Sequence, residues 1–338
     1  MRTPGPPCFR FSHRFRTEPR RSTAHCHWPT LPSAARRRNA DLTVDVDANR
    51  ALCAHLQAGG VTTWLYGGNA NFYNIAVSEF ESTMQAMLDI ADDVGDESTL
   101  VIPSVGPDYG KLMDQAEICA KLGFRTAMVL PLDFPSTAAG LATGVRNFAH
   151  AFGKKVILYV KSDAVYTPEA IAGLVDEGLI VAVKYAVVRD DPAEDEFLSE
   201  LCSLIDPKLI ISGIGERPAG AHFTEFGVAG FTSGSVCIAP RLSTMMLEAL
   251  HAGDAAEAAR IRELFIPVED LRDMWSPIRT MHEAVTLSGI ADMGPMLPML
   301  SNLEDDKHDE LRPAARALLA QNTAAQGLVD GAGGAAKL

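Results

Sequence analysis

The chain has 338 residues, 47% hydrophobic and 22% charged, enough to bury a full-sized core and too apolar for a disordered protein. Its net charge of −13 divides unevenly: nine arginines against Glu18 give residues 1–40 a charge of +8, leaving −21 on the rest. An acidic body repels phosphate backbones, which excludes nucleic acid as a partner, and no apolar run approaches the roughly 20 residues that a membrane-spanning helix needs.

Residues 1–40 are rich in Arg, Pro and Ser and carry no apolar period, so they read as a basic, disordered tail or a misassigned start. An Arg-rich, acid-poor opening also fits a transit segment. His25-Cys26-His27 has no fourth ligand at usable spacing, so no metal is expected. The six cysteines (Cys8, Cys26, Cys53, Cys119, Cys202, Cys237) form no C-x-x-C pair and read as reduced thiols in a cytoplasm.

From residue 41 onward, short aliphatic or β-branched runs recur at 62–66, 100–104, 126–130, 155–159, 180–184, 209–212 and 230–233, with amphipathic stretches between them. Two helix starts are punctuated: Ser78 with Glu81 reads as a capping box, and Thr167-Pro168-Glu169 as an N-cap followed by proline. Strands separated by helices run parallel. Seven strands, with an eighth expected in the poor strand sequence 29–42 before a first helix at 45–59, predict a (β/α)8 TIM barrel over 41–240. An open nucleotide-binding sheet is disfavoured, because neither Gly67-Gly68 nor Gly213-Ile214-Gly215 completes G-x-G-x-x-G. Helical patterns at 241–252, 254–274, 276–287 and 307–319 predict a C-terminal helical subdomain over 241–322, followed by a frayed Ala/Gly-rich end, 323–338.

Reactive groups of such barrels sit where strands end, so a polar residue closing an apolar run is informative. Lys184 closes Ile180-Val181-Ala182-Val183, and burial there would lower its pKa as an imine-forming amine requires. Tyr159 closes the preceding strand and could move protons. Tyr66-Gly67-Gly68-Asn69-Ala70-Asn71 offers close-approaching backbone amides and asparagine side chains, with Gly68, Asn69 and Asn71 as candidates to hold a carboxylate. A plain turn would use the same residue types. Gly213-Ile214-Gly215 with the loop after strand eight could also form a phosphate cup.

Taken in order, these residues resemble the dihydrodipicolinate synthase and N-acetylneuraminate lyase superfamily of class I, Schiff-base aldolases, over roughly residues 41–320. The resemblance rests on the Gly-rich loop before Phe72-Tyr73, Leu158-Tyr159 ahead of Val183-Lys184, Ile211-Ser212-Gly213, Gly227-Val228-Ala229-Gly230 to Pro240-Arg241, and Gly294 to Leu300. It implies that Lys184 forms the imine, that Tyr159 is the acid/base, and that Ser212 and Gly213 join the substrate-binding set. It further implies a 2-oxo acid substrate, no separate cofactor, and a homo-oligomer, dimer or tetramer. The departures are local. Gly68 and Asn69 stand where the family often carries two hydroxyl residues, the tyrosine supplied by a neighbouring subunit is replaced near Leu132-Asp133, and Ala164 stands where synthases place an arginine. Lys161, Asp163 and Glu216 add polar groups near the same face. The expected activity is a lyase or aldolase on a 2-oxo acid, and a poor dihydrodipicolinate synthase. The alternatives are a sugar-acid dehydratase on the same imine or a degenerate paralogue that only binds a small acid.

Overall fold

The computed structural model describes residues 30–31, 43–68 and 71–334. Strands β1 (Thr30–Leu31), β2 (Thr63–Tyr66), β3 (Leu100–Val105), β4 (Met128–Val129), β5 (Val156–Val160), β6 (Ile180–Tyr185), β7 (Ile210–Ser212) and β8 (Gly230–Phe231) alternate with helices α1 (Val46–Ala58), α2 (Val77–Val94), α3 (Tyr109–Lys121), α4 (Ala138–Phe152), α5 (Pro168–Asp176), α6 (Glu196–Leu204) and α7 (Glu216–Phe226). The strands are parallel and neighbour one another in sequence order, forming a (β/α)8 barrel. After β8, a 3-10 turn (Ser235–Cys237) lies beside β1 and brings the ring round.

Register decides which side chains enter the barrel. Tyr159 pairs with Lys184, Lys184 with Ile211 and Ile211 with Gly230, so these four positions face the same, inner side of the sheet. Val160, Tyr185 and Ser212, one step further, face the helices. Between β5 and β6 the ladder slips: Val156 pairs with Ile180 but Ile157 with Ala182, leaving Val181 as an extra residue.

Helices α8 (Pro240–Ala252), α9 (Ala255–Trp275), α10 (Pro277–Ser288) and α11 (His308–Gly334) build a second apolar core around Phe231, Met246, Ile261, Phe265 and Leu311. Ser276, N-cap of α10, turns the chain sharply after α9 and aims that corner at the barrel. Among the described residues, no helix is long and apolar enough to cross a membrane.

The strand expected in 29–42 is Thr30–Leu31, inside the segment otherwise read as a tail, and it pairs with Leu65 and Tyr66; backbone pairing with a strong neighbour overrides weak local propensity. Two expectations are corrected. Helix α2 begins at Val77 with Ala76 as a cap that offers no side-chain bond, so Ser78 and Glu81 form no capping box. Helix α11 runs to Gly334, through most of the stretch read as frayed. By contrast Thr167 does cap α5, accepting from the Ala170 amide at 3.3 Å, with Pro168 in the first turn.

Deleting residues 1–36 removes β1 and exposes the β2 edge. The truncated protein is expected to aggregate or melt at lower temperature than the full chain, as measured by size-exclusion chromatography and thermal denaturation.

Candidate active site

Lys184 ends an apolar strand and is 3% exposed, and its Nζ lies 4.3 Å from the centre of the Tyr159 ring on the adjacent strand. No carboxylate is bonded to it among the described residues. Burial, with a smaller push from the Lys161 charge, lowers its pKa from 10.5 to about 7. The facing ring attracts the ammonium, but that attraction is outweighed by lost hydration. The same burial raises the Tyr159 phenol to about 12, keeping it a proton donor near neutrality. Tyr73, in the 3-10 turn Phe72–Asn74, is raised by burial and, less, by the nearby Tyr159 and Asp133. Lys111 Nζ fixes this turn by donating to the carbonyls of Phe72 and Tyr73, each at 2.9 Å.

A cavity of about 340 Å³ opens at the C-terminal ends of β5 to β8. Its walls include Tyr159 and Lys161, Gly213 and Gly215, Thr232, and Arg272 with Ser276 from the α9–α10 corner. A larger groove of about 830 Å³ lies outside the barrel between α3 and α4, but its lining carries no charged residue. The smaller cavity is lined by Tyr159 and Gly213, both of which lie against Lys184.

Gly213 closes in on the lysine stem. A Cβ there would stand 2.7 Å from Ala186 Cβ, 2.8 Å from the Tyr185 carbonyl and 3.0 Å from Lys184 Cγ. Its amide donates to that carbonyl at 2.6 Å. Glycine is required for Lys184 to sit where it does.

The other expected substrate contacts divide. Gly68 is buried just after β2, while Asn69 lies outside the described residues. Asn71 is 2% exposed with φ +55°, and its side chain donates to the Leu297 carbonyl at 3.4 Å and accepts from Asn74 at 2.6 Å. It ties the Gly-rich loop to the C-terminal segment. Ser212 does not line the cavity: it faces α7 and shares a 2.8 Å hydrogen bond with His222 Nδ1, because alternation on β7 turns it away from Ile211. His222 is held neutral, its pKa pushed down to about 4 by burial.

Glu216 is buried and turned from the mouth, accepting from Ser233 at 2.6 Å and Ser243 at 2.8 Å. Asp163 is bonded to Arg189 at 2.9 Å. Nor does Gly213-Ile214-Gly215 form a phosphate cup. Glu269 of α9 already sits at the start of α7, where its Oε1 accepts from the Glu216 amide at 3.3 Å. Gly215 has φ +99°, and a Cβ there would lie 2.4 Å from that oxygen. Arg272 braces the arrangement from the other side, donating to the Ile214 carbonyl at 3.0 Å and to Glu269 at 3.2 Å.

Two hydroxyls in this region escaped sequence reasoning. Thr232 is 2% exposed, lines the cavity and has an unpartnered Oγ1, while Ser104 is fully buried on β3, next to Gly67, with an unpartnered Oγ. The signal for Thr232 was present: it follows Gly230 by two residues, so it returns to the inner side of a strand only two residues long.

The family model for the dihydrodipicolinate synthetase family matches residues 39–318. A probable 5-dehydro-4-deoxyglucarate dehydratase of Saccharopolyspora erythraea is 27% identical over 243 residues, 69% of this chain and 75% of that protein. A probable 5-dehydro-4-deoxyglucarate dehydratase of Streptomyces avermitilis is 25% identical over 301 residues, 83% of this chain and 90% of its own. Among solved structures, dihydrodipicolinate synthase from Bacillus clausii superposes with a TM-score of 0.74 at 20% identity, covering 86% of this chain and 96% of that one. A prophage protein of the dihydrodipicolinic acid synthase family from E. coli K12, in complex with pyruvate, also gives 0.74 at 20% identity, over 86% and 98%. With a matched segment that takes in β2 to β8, Lys184 and most of the C-terminal helices, the chain belongs to the dihydrodipicolinate synthetase family.

Proposed function

We propose that this protein dehydrates a sugar-derived 2-oxo acid through an imine on Lys184. Its family makes it a class I aldolase-type lyase for 2-oxo acids. The observation that carries the assignment to residues is the buried Lys184 amine 4.3 Å from the Tyr159 ring centre. The named relatives carry the choice of dehydration over cleavage or condensation.

The chemistry follows from those two groups. Neutral Lys184 adds to the keto carbon, and Tyr159 gives its proton to the departing hydroxyl, so water leaves and an iminium remains. The phenoxide takes a proton from the neighbouring carbon, forming the enamine. That enamine expels the hydroxyl on the next carbon, again as water with the Tyr159 proton, and hydrolysis frees the lysine. A 5-oxo, 4-deoxy sugar acid fits this sequence: its deoxy carbon supplies the proton and the following carbon the leaving hydroxyl. The backbone at Gly68 and Asn69 is the proposed seat for the carboxylate beside the keto group. Condensation of the synthase type has less support, because Ala164 offers no charge to a second substrate. The reading includes a homo-oligomer, dimer or tetramer, in the cytoplasm. Supporting it are a groove edged by the exposed Tyr109 and four free cysteines among the described residues.

Lys184→Ala is expected to abolish borohydride trapping of pyruvate on the protein, read by intact mass. In the wild type, the trapping rate should rise with pH through about 7, where the buried amine loses its proton, and then level off. A midpoint near that of a free lysine would contradict the buried-amine assignment. Tyr159→Phe keeps the ring and should slow turnover by about two to four powers of ten, the usual cost of a lost acid/base, with trapping at saturating acid still detectable. Gly213→Ala forces three contacts to give way, and should destabilise the protein by about 1–3 kcal/mol in chemical denaturation while displacing Lys184 enough to impair trapping.

A further inference from the structure

The cavity has two basic side chains in its lining, Lys161 and Arg272, and they are not equivalent. Arg272 is already occupied, by the Ile214 carbonyl, by Glu269 and by Asp273, the last at 2.9 Å. Arg189 does not line the cavity and is held by Asp163 and Asp195. Lys161 is exposed and has no ion-pair partner among the described residues. It follows Tyr159 by two residues, about 7 Å further toward the opening at the rise of an extended chain. We propose that Lys161 is a specificity-determining residue that receives the second carboxylate of a 2-oxo diacid bound through Lys184.

This rests on the imine reading above, whose 5-oxo, 4-deoxy sugar acid is itself a diacid, and adds the residue that recognises the far carboxylate. A 2-oxo monoacid would use only the carboxylate seat beside its keto group and leave Lys161 uncompensated at the mouth. A diacid long enough to span from Lys184 to the opening places its far carboxylate where that charge stands. Among the described residues, no other cationic side chain of the lining is uncommitted, since Arg272 is occupied, and Ala164 is uncharged.

The charge acts at two stages. Before substrate binds, Lys161 helps keep the Lys184 amine unprotonated and nucleophilic. Once the iminium forms, the Lys184 nitrogen is cationic, and an uncompensated Lys161 would oppose it. A carboxylate paired with Lys161 removes that opposition when it becomes harmful.

The test compares 2-oxoadipate with 2-oxohexanoate, six-carbon acids that differ only in the terminal carboxylate, by the concentration giving half-maximal borohydride trapping. The wild type should favour 2-oxoadipate by about ten- to a hundred-fold, the scale of one charge-assisted hydrogen bond. Lys161→Met should erase that preference, Lys161→Arg should retain it, and the pH midpoint of trapping should move upward in the Met variant. Pyruvate at pH 9 is the control, where Lys184 is unprotonated in both proteins. If pyruvate is trapped but the wild type shows no diacid preference, or if Lys161→Met weakens both six-carbon acids equally, the role of Lys161 is overturned and the imine reading stands. If the wild type traps no acid, pyruvate included, both fall.

Discussion

An ammonium taken out of water and given no carboxylate costs several kcal/mol, and a folded protein escapes that cost by letting the group go neutral. Lys184 meets this condition because the residues before it on β6 are apolar, Gly213 presses against its stem and Tyr159 covers its tip. A fall from 10.5 to about 7 is worth on the order of 5 kcal/mol between the two protonation states. Between those values the unfolded chain binds a proton that the folded chain does not, so this group makes stability rise with pH across that window. The rest of the barrel must be firm enough to hold the amine there.

Firmness comes from the helix-facing side of the sheet. Tyr185, next to the lysine, sends its hydroxyl outward to Asp195 at 2.7 Å, and Asp195 caps α6 while pairing with Arg189 at 3.0 Å. Arg189 also grips Asp163 after β5, so the loops following β5 and β6 are tied together. Ser212 and His222 do the same for β7 and α7. Behind the cavity, burial keeps the carboxyls of Glu216 and Glu269 above the usual range, and Arg272 partly offsets this at Glu269. The start of α7 is thereby filled from within, and the cavity wall at Gly215 is backed by side chains from α9.

How much of this could be read in advance depended on the distance over which each contact acts. Lys184 and Tyr159 were legible because a polar residue closing an apolar run is a local pattern, and because consecutive parallel strands in a barrel are neighbours. Ser212 and Gly213 stand side by side in sequence yet face opposite ways, and only the register of β7 separates the residue that lines the cavity from the one that anchors a helix. The roles of Glu269 and Arg272 were invisible, since they reach Gly215 from more than fifty residues away. Thr30 and Leu31 join the sheet through partners on β2 and carry no pattern of their own.

The extra residue Val181 sits 39% exposed at the foot of β6, far from any reacting atom. Counted from the pair Val156 and Ile180, an unbroken ladder would set Tyr159 opposite Val183 and turn Lys184 toward the helices, on the far side of the sheet from the phenol. The single looped-out position restores the match. Substitution and deletion therefore part company at this point in the gene: position 181 can accept many side chains, whereas loss of its codon would set Tyr159 opposite Val183 and part the phenol from the Lys184 amine.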